Sequence, residues 1–207
     1  MFDPYYFIRR MYNDISRTDI INMLIDKYGY KSYLEIGVAG GENFENIHVT
    51  NKIGVDPNTD SKATIFITSD EFFNSISEDD KYDIIFIDGL HEYETCYRDI
   101  VNSAKHLNKG GTIICHDMNP VCKEFITPGY DVWNGDVYKS FIRFRMEHRE
   151  FSCCLIYDVD QGIGIIREGI GEKVSCDLNT LTYGDWNNNK QYLMNCISYD
   201  DFAKLFL

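Results

Sequence analysis

Apolar residues recur in this chain at two spacings that alternate along its length. Ile20, Ile21, Leu24, Ile25 and Tyr28 lie three or four positions apart, which puts them on one face of a helix. With Thr18 as its cap, the pattern predicts a helix over 18–29. Short apolar runs at 33–37, 53–56, 64–67, 82–87 and 112–115 read instead as strands. The fourth run is broken only by Asp83, as expected of a strand covered on both faces. A glycine turn and a short helix around Phe44 and Ile47 follow the first strand, and Ser69 caps a helix carrying Phe72, Phe73 and Ile76. The clearest helix carries Tyr93, Tyr97, Ile100, Val101, Ala104 and Leu107, with Gly110-Gly111 as its stop. Further on, 137–149 reads as a helix, 151–157 and 162–166 as two strands joined by a tight turn, and Asn187-Asn188-Asn189 as a loop. A short helix from Ser198 carries Phe202 and Phe206.

Strands alternating with helices imply a parallel sheet with helices on both faces, to which the closing hairpin adds an antiparallel edge strand. The length, 207 residues, suits one domain. Its parts are an N-terminal helical arm or lid (1–29), a core (30–168) and a C-terminal extension (169–207). In open α/β sheets ligands bind beyond the carboxyl ends of the strands. All five predicted ends carry polar or glycine residues: Glu35 with Gly37, Gly40 and Gly41; Asp56; Ser69 and Asp70; Asp88 with His91; His116 and Asp117. Glycines let the chain turn sharply and let a ligand touch backbone. Their spacing is not the G-x-G-x-x-G of nicotinamide-dinucleotide binders. Asp56 either accepts hydrogen bonds from ribose hydroxyls or shapes the turn before Pro57. Asp70 either faces an adenine amine or belongs, with Ser69, to a helix cap.

Composition narrows the partners. A net charge of −13 excludes a general nucleic-acid binder and disfavours an anionic membrane surface. No apolar run is long enough to insert into a bilayer. Arg143, Arg145 and Arg149 read as a solvated helix face or a small basic patch. Seven scattered cysteines without a C-x-x-C pair read as reduced thiols of a cytoplasmic protein, and Met1-Phe2-Asp3-Pro4 does not open a signal peptide. Tyr5, Tyr6 and Phe7 would suit a homodimer contact.

Leu34-Glu35-Ile36-Gly37-Val38-Ala39-Gly40-Gly41 resembles the first motif of class I S-adenosylmethionine methyltransferases, and Ile53-Gly54-Val55-Asp56 resembles their second. The run from Tyr82 through Asp88-Gly89-Leu90-His91-Glu92-Tyr93, with Asp99 in the next helix, is more specific. It resembles a subfamily of small bacterial methyltransferases similar to catechol and macrolide-sugar O-methyltransferases, and Leu107 through His116-Asp117 continues the likeness. The resemblance covers roughly 30–120 and implies a Rossmann-like, doubly wound, mostly parallel seven-stranded sheet. It implies that Glu35 and the glycine turn hold the methionine portion of S-adenosylmethionine, that Asp56 binds ribose, and that Asp70 lies near adenine. In the catechol and macrolide-sugar enzymes, acidic residues matching Asp88 and Asp117 bind Mg²⁺. Here His116-Asp117-Met118 departs from their Asp-Asp or Asp-Asn, and imidazole serves a hard oxygen-seeking ion less well. Members often accompany genes of sugar modification, which points to a small-molecule acceptor such as a sugar or sugar nucleotide.

Methyl transfer to an alcohol needs a general base, and histidine titrates near working pH. His91 or His116 is the expected base, with Asp117 or Asp88 orienting it, or with Asp88 and Asp117 as metal ligands. Trp133 and Tyr138 either stack on a sugar or pack in the core, and Asn134 and Asp136 either bind substrate or cap a helix. Two other readings are an NAD- or nucleotide-binding Rossmann protein and a non-catalytic binding subunit; the fold alone does not choose among them.

Overall fold

The computed structural model describes residues 12–129 and 132–207. The aromatic stretch at 5–7, expected as a dimer contact, lies outside the described residues. Helix α1 (Arg17–Tyr28) starts one residue earlier than the apolar stripe indicates, because Ser16 caps it. The Ser16 side chain accepts from Asp19 N while the Asp19 carboxylate takes the Ser16 N–H, a reciprocal cap worth about 1 kcal/mol. Thr18 is therefore not the cap; its hydroxyl donates to Asn43 Oδ1 at 2.8 Å.

Seven strands form one sheet: β1 (Ser32–Ile36), β2 (Asn51–Val55), β3 (Tyr82–Ile87), β4 (Leu107–Cys115), β5 (Phe151–Ile156), β6 (Ile163–Glu168) and β7 (Cys196–Ile197). Their order is β2-β1-β3-β4-β6-β5-β7. The first four run parallel, β6 lies antiparallel between β4 and β5, and β7 is parallel to β5. The remaining helices are α2 (Ser69–Ser75), α3 (Tyr93–Lys105), α4 (Tyr138–Glu147), α5 (Tyr183–Met194) and α6 (Tyr199–Phe206). Strand side chains alternate between two apolar layers, as the period of two requires. Leu34, Ile85, Ile113 and Cys115 join residues of α2, α3, α4 and α5 on one face. Tyr33, Ile84, Phe86 and Ile114 join residues of α1 and α6 on the other. Among the described residues no helix is long and apolar enough to cross a membrane.

The sheet has the expected number of strands but a different membership. The run 64–67 makes only a single bridge, Val55 to Ile65, because Thr68 caps α2 immediately and leaves no length for a ladder. The seventh strand is β7, from the C-terminal extension, and it forms the edge outside the hairpin. The Asn187-Asn188-Asn189 run is not a loop but the exposed side of α5. A Thr182–Asp185 capping box starts that helix, and the fully buried Trp186, with Leu193 and Met194, holds it to the core. Helix α3 stops at Lys105, before Gly110-Gly111, and those glycines form an irregularity inside β4, where the register jumps from Tyr82↔Leu107 to Ile84↔Thr112. A side chain on Gly111 would come within 2.6 Å of the Asp83 carbonyl oxygen.

Trp186 packs against Tyr138 with the rings tilted by 39° (centroids 4.6 Å apart), so burial rather than propensity holds α5. Trp186→Ala is expected to lower stability by about 3–5 kcal/mol in urea unfolding. Asn188→Ala, on the solvent side, is expected to stay within about 0.5 kcal/mol.

Candidate active site

A cleft of about 830 Å³ opens at the carboxyl ends of the four parallel strands. It is lined by Gly37 and Ala39 after β1, Asp56 and Pro57 after β2, Asp88 to His91 after β3, and His116 and Asp117 after β4. Gly37 is required by packing: its φ is +86°, and a Cβ there would lie 2.0 Å from the Asp88 carbonyl oxygen. The turn it makes is held from below by Asp56. One Asp56 oxygen accepts from Val38 N (3.0 Å) and Ala39 N (2.9 Å), and the other from Asn58 N (2.8 Å). Asp56 thus lies on the cleft wall and also braces the glycine turn.

Glu35 does not line the cleft. It is 1% exposed, and its Oε2 accepts from Tyr33 Oη and from Asn43 Nδ2. Burial pushes its carboxyl up to about 7, against the hydrogen bonds from Tyr33 and Asn43. Gly40 and Gly41 shape the same turn from outside the cleft, with Gly41 at φ +87° against the Lys62 side chain.

One end of the cleft holds a charged cluster. His116 is buried, with Nδ1 3.2 Å from both Asp88 Oδ1 and Asp117 Oδ2, and Nε2 3.4 Å from Asp160 Oδ1. Burial opposes charge on this ring, but the Asp117 and Asp88 carboxylates outweigh it and hold the imidazole protonated well above its usual range. Arg17, the first residue of α1, places Nη1 3.4 Å from Asp88 Oδ2 and Nε 3.8 Å from Asp160 Oδ2, while Nη1 also touches the His116 ring. Asp88 and Asp160 therefore each bridge both cations, which is why guanidinium and imidazolium lie side by side. Burial works against ionised Asp88 and Asp160, but His116 and Arg17 hold Asp88 far below the carboxylate range and Asp160 at about 2.

His91 is more accessible. Its Nδ1 lies 2.5 Å from the Trp133 carbonyl oxygen, which only accepts, so Nδ1 carries the proton. Nε2 then faces Asp117 Oδ2 at 3.2 Å and Asp88 Oδ1 at 3.4 Å. Burial lowers this ring, yet the Asp88 hydrogen bond and the Asp117 and Asp88 charges raise it to about 9. Gly135 (φ +67°) lets the loop close over His91; a Cβ there would meet the His91 carbonyl oxygen at 1.8 Å. Asn134, fully buried, donates from Nδ2 to Asp117 Oδ1 at 2.6 Å.

Asp88, His116 and Asp117 offer three donor atoms within 4.8 Å of one another. A magnesium ion prefers about six oxygen ligands. Here one donor is an imidazole shared among carboxylates, and the Arg17 guanidinium projects into the same space. Three carboxylates (Asp88, Asp117, Asp160) already face three cationic groups (Arg17, His91, His116), so the cluster closes its charge with protons. The donor set does not fit Mg²⁺.

At the other end stand Thr68, Ser69, Asp70, Thr95, Arg98 and Asp99. Ser69 follows the true cap, Thr68. Asp70 pairs with Arg98, which donates to Oδ1 (3.1 Å) and Oδ2 (2.9 Å). Asp99 is 1% exposed, and its Oδ1 has no hydrogen-bond partner. Burial pushes Asp99 up to about 7, against a hydrogen bond from the Ser69 side chain.

The cleft thus fits an extended ligand that meets a glycine cradle at its middle and a buried unpartnered carboxyl oxygen at one end. Trp133 lines it, whereas Tyr138 is buried core. Asp136 caps α3 by accepting from Tyr93 N at 2.9 Å. The three arginines form no patch: Arg145 is buried and donates to the Tyr192 and Leu193 carbonyls, and Arg143 pairs with Glu147. Arg17 and Asp160 were not singled out in the sequence. A cation in the first turn opposes the helix dipole, and that anomaly marks Arg17. Asp160 hides among hairpin turn residues, and its φ of +33° shows only in the fold.

Residues 34–118 match a family described as a methyltransferase domain. No curated protein matches the sequence. Among solved structures, the chain is similar to the O-methyltransferase from Bacillus cereus in complex with SAH, at 15% identity and TM-score 0.54, covering 75% of this chain and 83% of that one. It is similar to the O-methyltransferase of tomaymycin synthesis from Streptomyces achromogenes in complex with SAM, at 10% identity and TM-score 0.56, covering 73% and 79%. An SAH-bound methyltransferase from Podospora anserina shares 17% identity at TM-score 0.52, covering 80% and 86%. At these identities the likeness is one of fold.

Asn134→Ala removes a donor from buried Asp117. It is expected to cost about 1–3 kcal/mol of stability, read as a shift in the denaturant midpoint with unchanged slope.

Proposed function

We propose that this chain, whose residues 34–118 match a methyltransferase domain, is a class I methyltransferase that transfers a methyl group from S-adenosylmethionine to a hydroxyl oxygen of a small acceptor, with His91 as general base. The observation that carries the reading is the His91 ring itself. Its Nδ1 is fixed by the Trp133 carbonyl, so Nε2 is the nitrogen that takes the acceptor's proton at the cleft once the ring has lost its own, which the Asp88 and Asp117 carboxylates delay to about pH 9. His116 is less suited, since both of its nitrogens face carboxylates and its side chain is 2% exposed.

Bound S-adenosylmethionine would supply an electrophilic methyl group on a sulfonium sulfur and leave as the thioether. The glycine turn at Gly37 and the Asp56 brace would hold its middle. As the acceptor oxygen bonds to the methyl carbon and the carbon–sulfur bond breaks, His91 Nε2 takes the hydroxyl proton. Asp88 and Asp117 then stabilise the imidazolium and keep the ring oriented. Positioning does the remainder, since alignment of acceptor and methyl group lowers the barrier without further chemistry. Two polar atoms of the cleft support an acceptor rich in hydroxyls, such as a sugar or sugar nucleotide: Trp133 Nε1 and Gln161 Oε1 are buried and have no partner. One is a donor and the other an acceptor, and a hydroxyl can serve either. The seven free thiols support a cytoplasmic setting.

Calorimetry with S-adenosylhomocysteine tests the cofactor, with NAD as the control. Micromolar affinity, about −8 kcal/mol, is expected for the adenosyl ligand and none for NAD; the reverse result would sink the reading. Chelator is expected to leave acceptor turnover unchanged. The base requires neutral His91, so kcat/KM should climb as pH rises through about 9 in the wild type. In His91→Ala the profile should be flat and the rate about 10²–10⁴-fold lower. Stability runs the other way. The raised His91 pKa contributes stability that is complete below its ordinary value of 6.5 and is lost as pH rises through about 9.

A further inference from the structure

We propose that the Arg17 guanidinium is the fixed cation of the acceptor end of the cleft, filling the place that a divalent ion would take among Asp88, His116 and Asp117. The inference stands on the geometry of the cluster; only the acceptor that this charge would serve rests on the methyltransferase reading.

Among the described residues, Asp88, His116 and Asp117 are the one group whose donor atoms converge closely enough for a metal ion. Arg17 already lies against all but one of them. Its Nη1 is 3.0 Å from His116 Nδ1 and 2.8 Å from Nε2, so it rests over the ring face rather than against one nitrogen, and it is 3.4 Å from Asp88 Oδ2. Arg17 opens α1, where the helix dipole disfavours a cation, so the helix does not hold it there. Asp160 does. Its Oδ2 accepts from the Arg17 backbone N at 2.9 Å and lies 3.8 Å from Arg17 Nε. Main chain and side chain of one residue thus end on one carboxylate oxygen, which fixes the guanidinium over His116.

The charges agree with such an exchange. Arg17 and the His116 ring proton together carry the two positive charges of a divalent ion, so either arrangement balances Asp88, Asp117 and Asp160 beside His91. An ion added to the guanidinium would leave two positive charges unpaired, so the two exclude each other. Arginine keeps its charge at every working pH, and its planar fork spans two carboxylates from different elements, which a compact ammonium does not match. The Arg17 side chain lines the cleft and is 31% exposed, so its charge reaches an acceptor oxygen that is losing its proton. Unlike an ion, it is not lost by dissociation.

The test titrates Mn²⁺ into the full-length chain by calorimetry, with loss of the free-ion electron paramagnetic resonance signal as a second reading. Mn²⁺ takes carboxylates and water readily and leaves thiols to softer ions. Wild type is expected to show only the weak, unsaturated binding of an acidic surface. Arg17→Met should gain one site at least about tenfold tighter, seen also as a raised melting midpoint with the ion present. Arg17→Lys keeps a cation in place and should gain none. Asp117→Asn added to Arg17→Met should abolish the gain. Wild type binding Mn²⁺ as tightly as Arg17→Met overturns the proposal. So does a folded Arg17→Met without a gain, an equal gain in Arg17→Lys, or a gain that survives Asp117→Asn. Should Arg17→Met unfold alone, refolding on addition of Mn²⁺ supports the proposal and failure to refold overturns it. S-adenosylhomocysteine is titrated into wild type alongside. Its failure to bind removes the methyltransferase reading and leaves the cation assignment standing, whereas its binding with no Mn²⁺ gain in Arg17→Met removes the assignment alone.

Discussion

The site depends on the close approach of the ends of β1 and β3. Asp88 N donates to the Ile36 carbonyl at 2.8 Å, and the Asp88 carbonyl oxygen occupies the place of a side chain at position 37. This contact forces the glycine turn, and it also sets the Asp88 carboxylate among Arg17, His91 and His116. Cradle and charged cluster are therefore two faces of one backbone junction. A displacement of either strand end disturbs both.

Strain collects around the same place. Of the five non-glycine residues with positive φ among the described residues, Ala39, Asp117 and Gln161 line the cleft, and Asp160 reaches His116. Each such position costs of order 1–3 kcal/mol unless its side chain suits it, and aspartate tolerates the region better than most. The charge-assisted contacts of Asp117 and Asp160 offset the cost. His91 is fixed in a similar spirit, since Gly135 brings the Trp133 carbonyl onto its ring.

The parallel half of the fold was legible in the sequence because continuous apolar runs and glycine turns are local signals. The cleft's rim from Gly37 to Asp117 followed from knowing where strands end. What local pattern did not carry was partner choice. The run 64–67 has strand composition yet lacks the length for a ladder once Thr68 caps the next helix. The asparagine run 187–189 has loop composition, yet the apolar Trp186 anchors it as a helix. Asp70 and Asp99 are alike in sequence, and only their environments separate an exposed ion pair from a buried carboxyl with an open oxygen. Glu35 carries the motif position but is turned away from the cleft toward Tyr33 and Asn43.

The Arg17 and Asp160 contact spans 143 positions of the chain. Contacts so distant in sequence close late, after local helices and neighbouring strands are in place, because the loop entropy must first be offset by other pairings. The segment 34–118 that carries the family likeness contains neither residue. A nascent chain that has reached residue 118 holds Arg17, His91 and His116 with only two of their carboxylates, Asp88 and Asp117, and lacks the hairpin aspartate that completes the balance. Arrival of the β5–β6 turn against α1 is thus the event that neutralises the cluster, and chemical competence is acquired at the end of folding rather than with the first core.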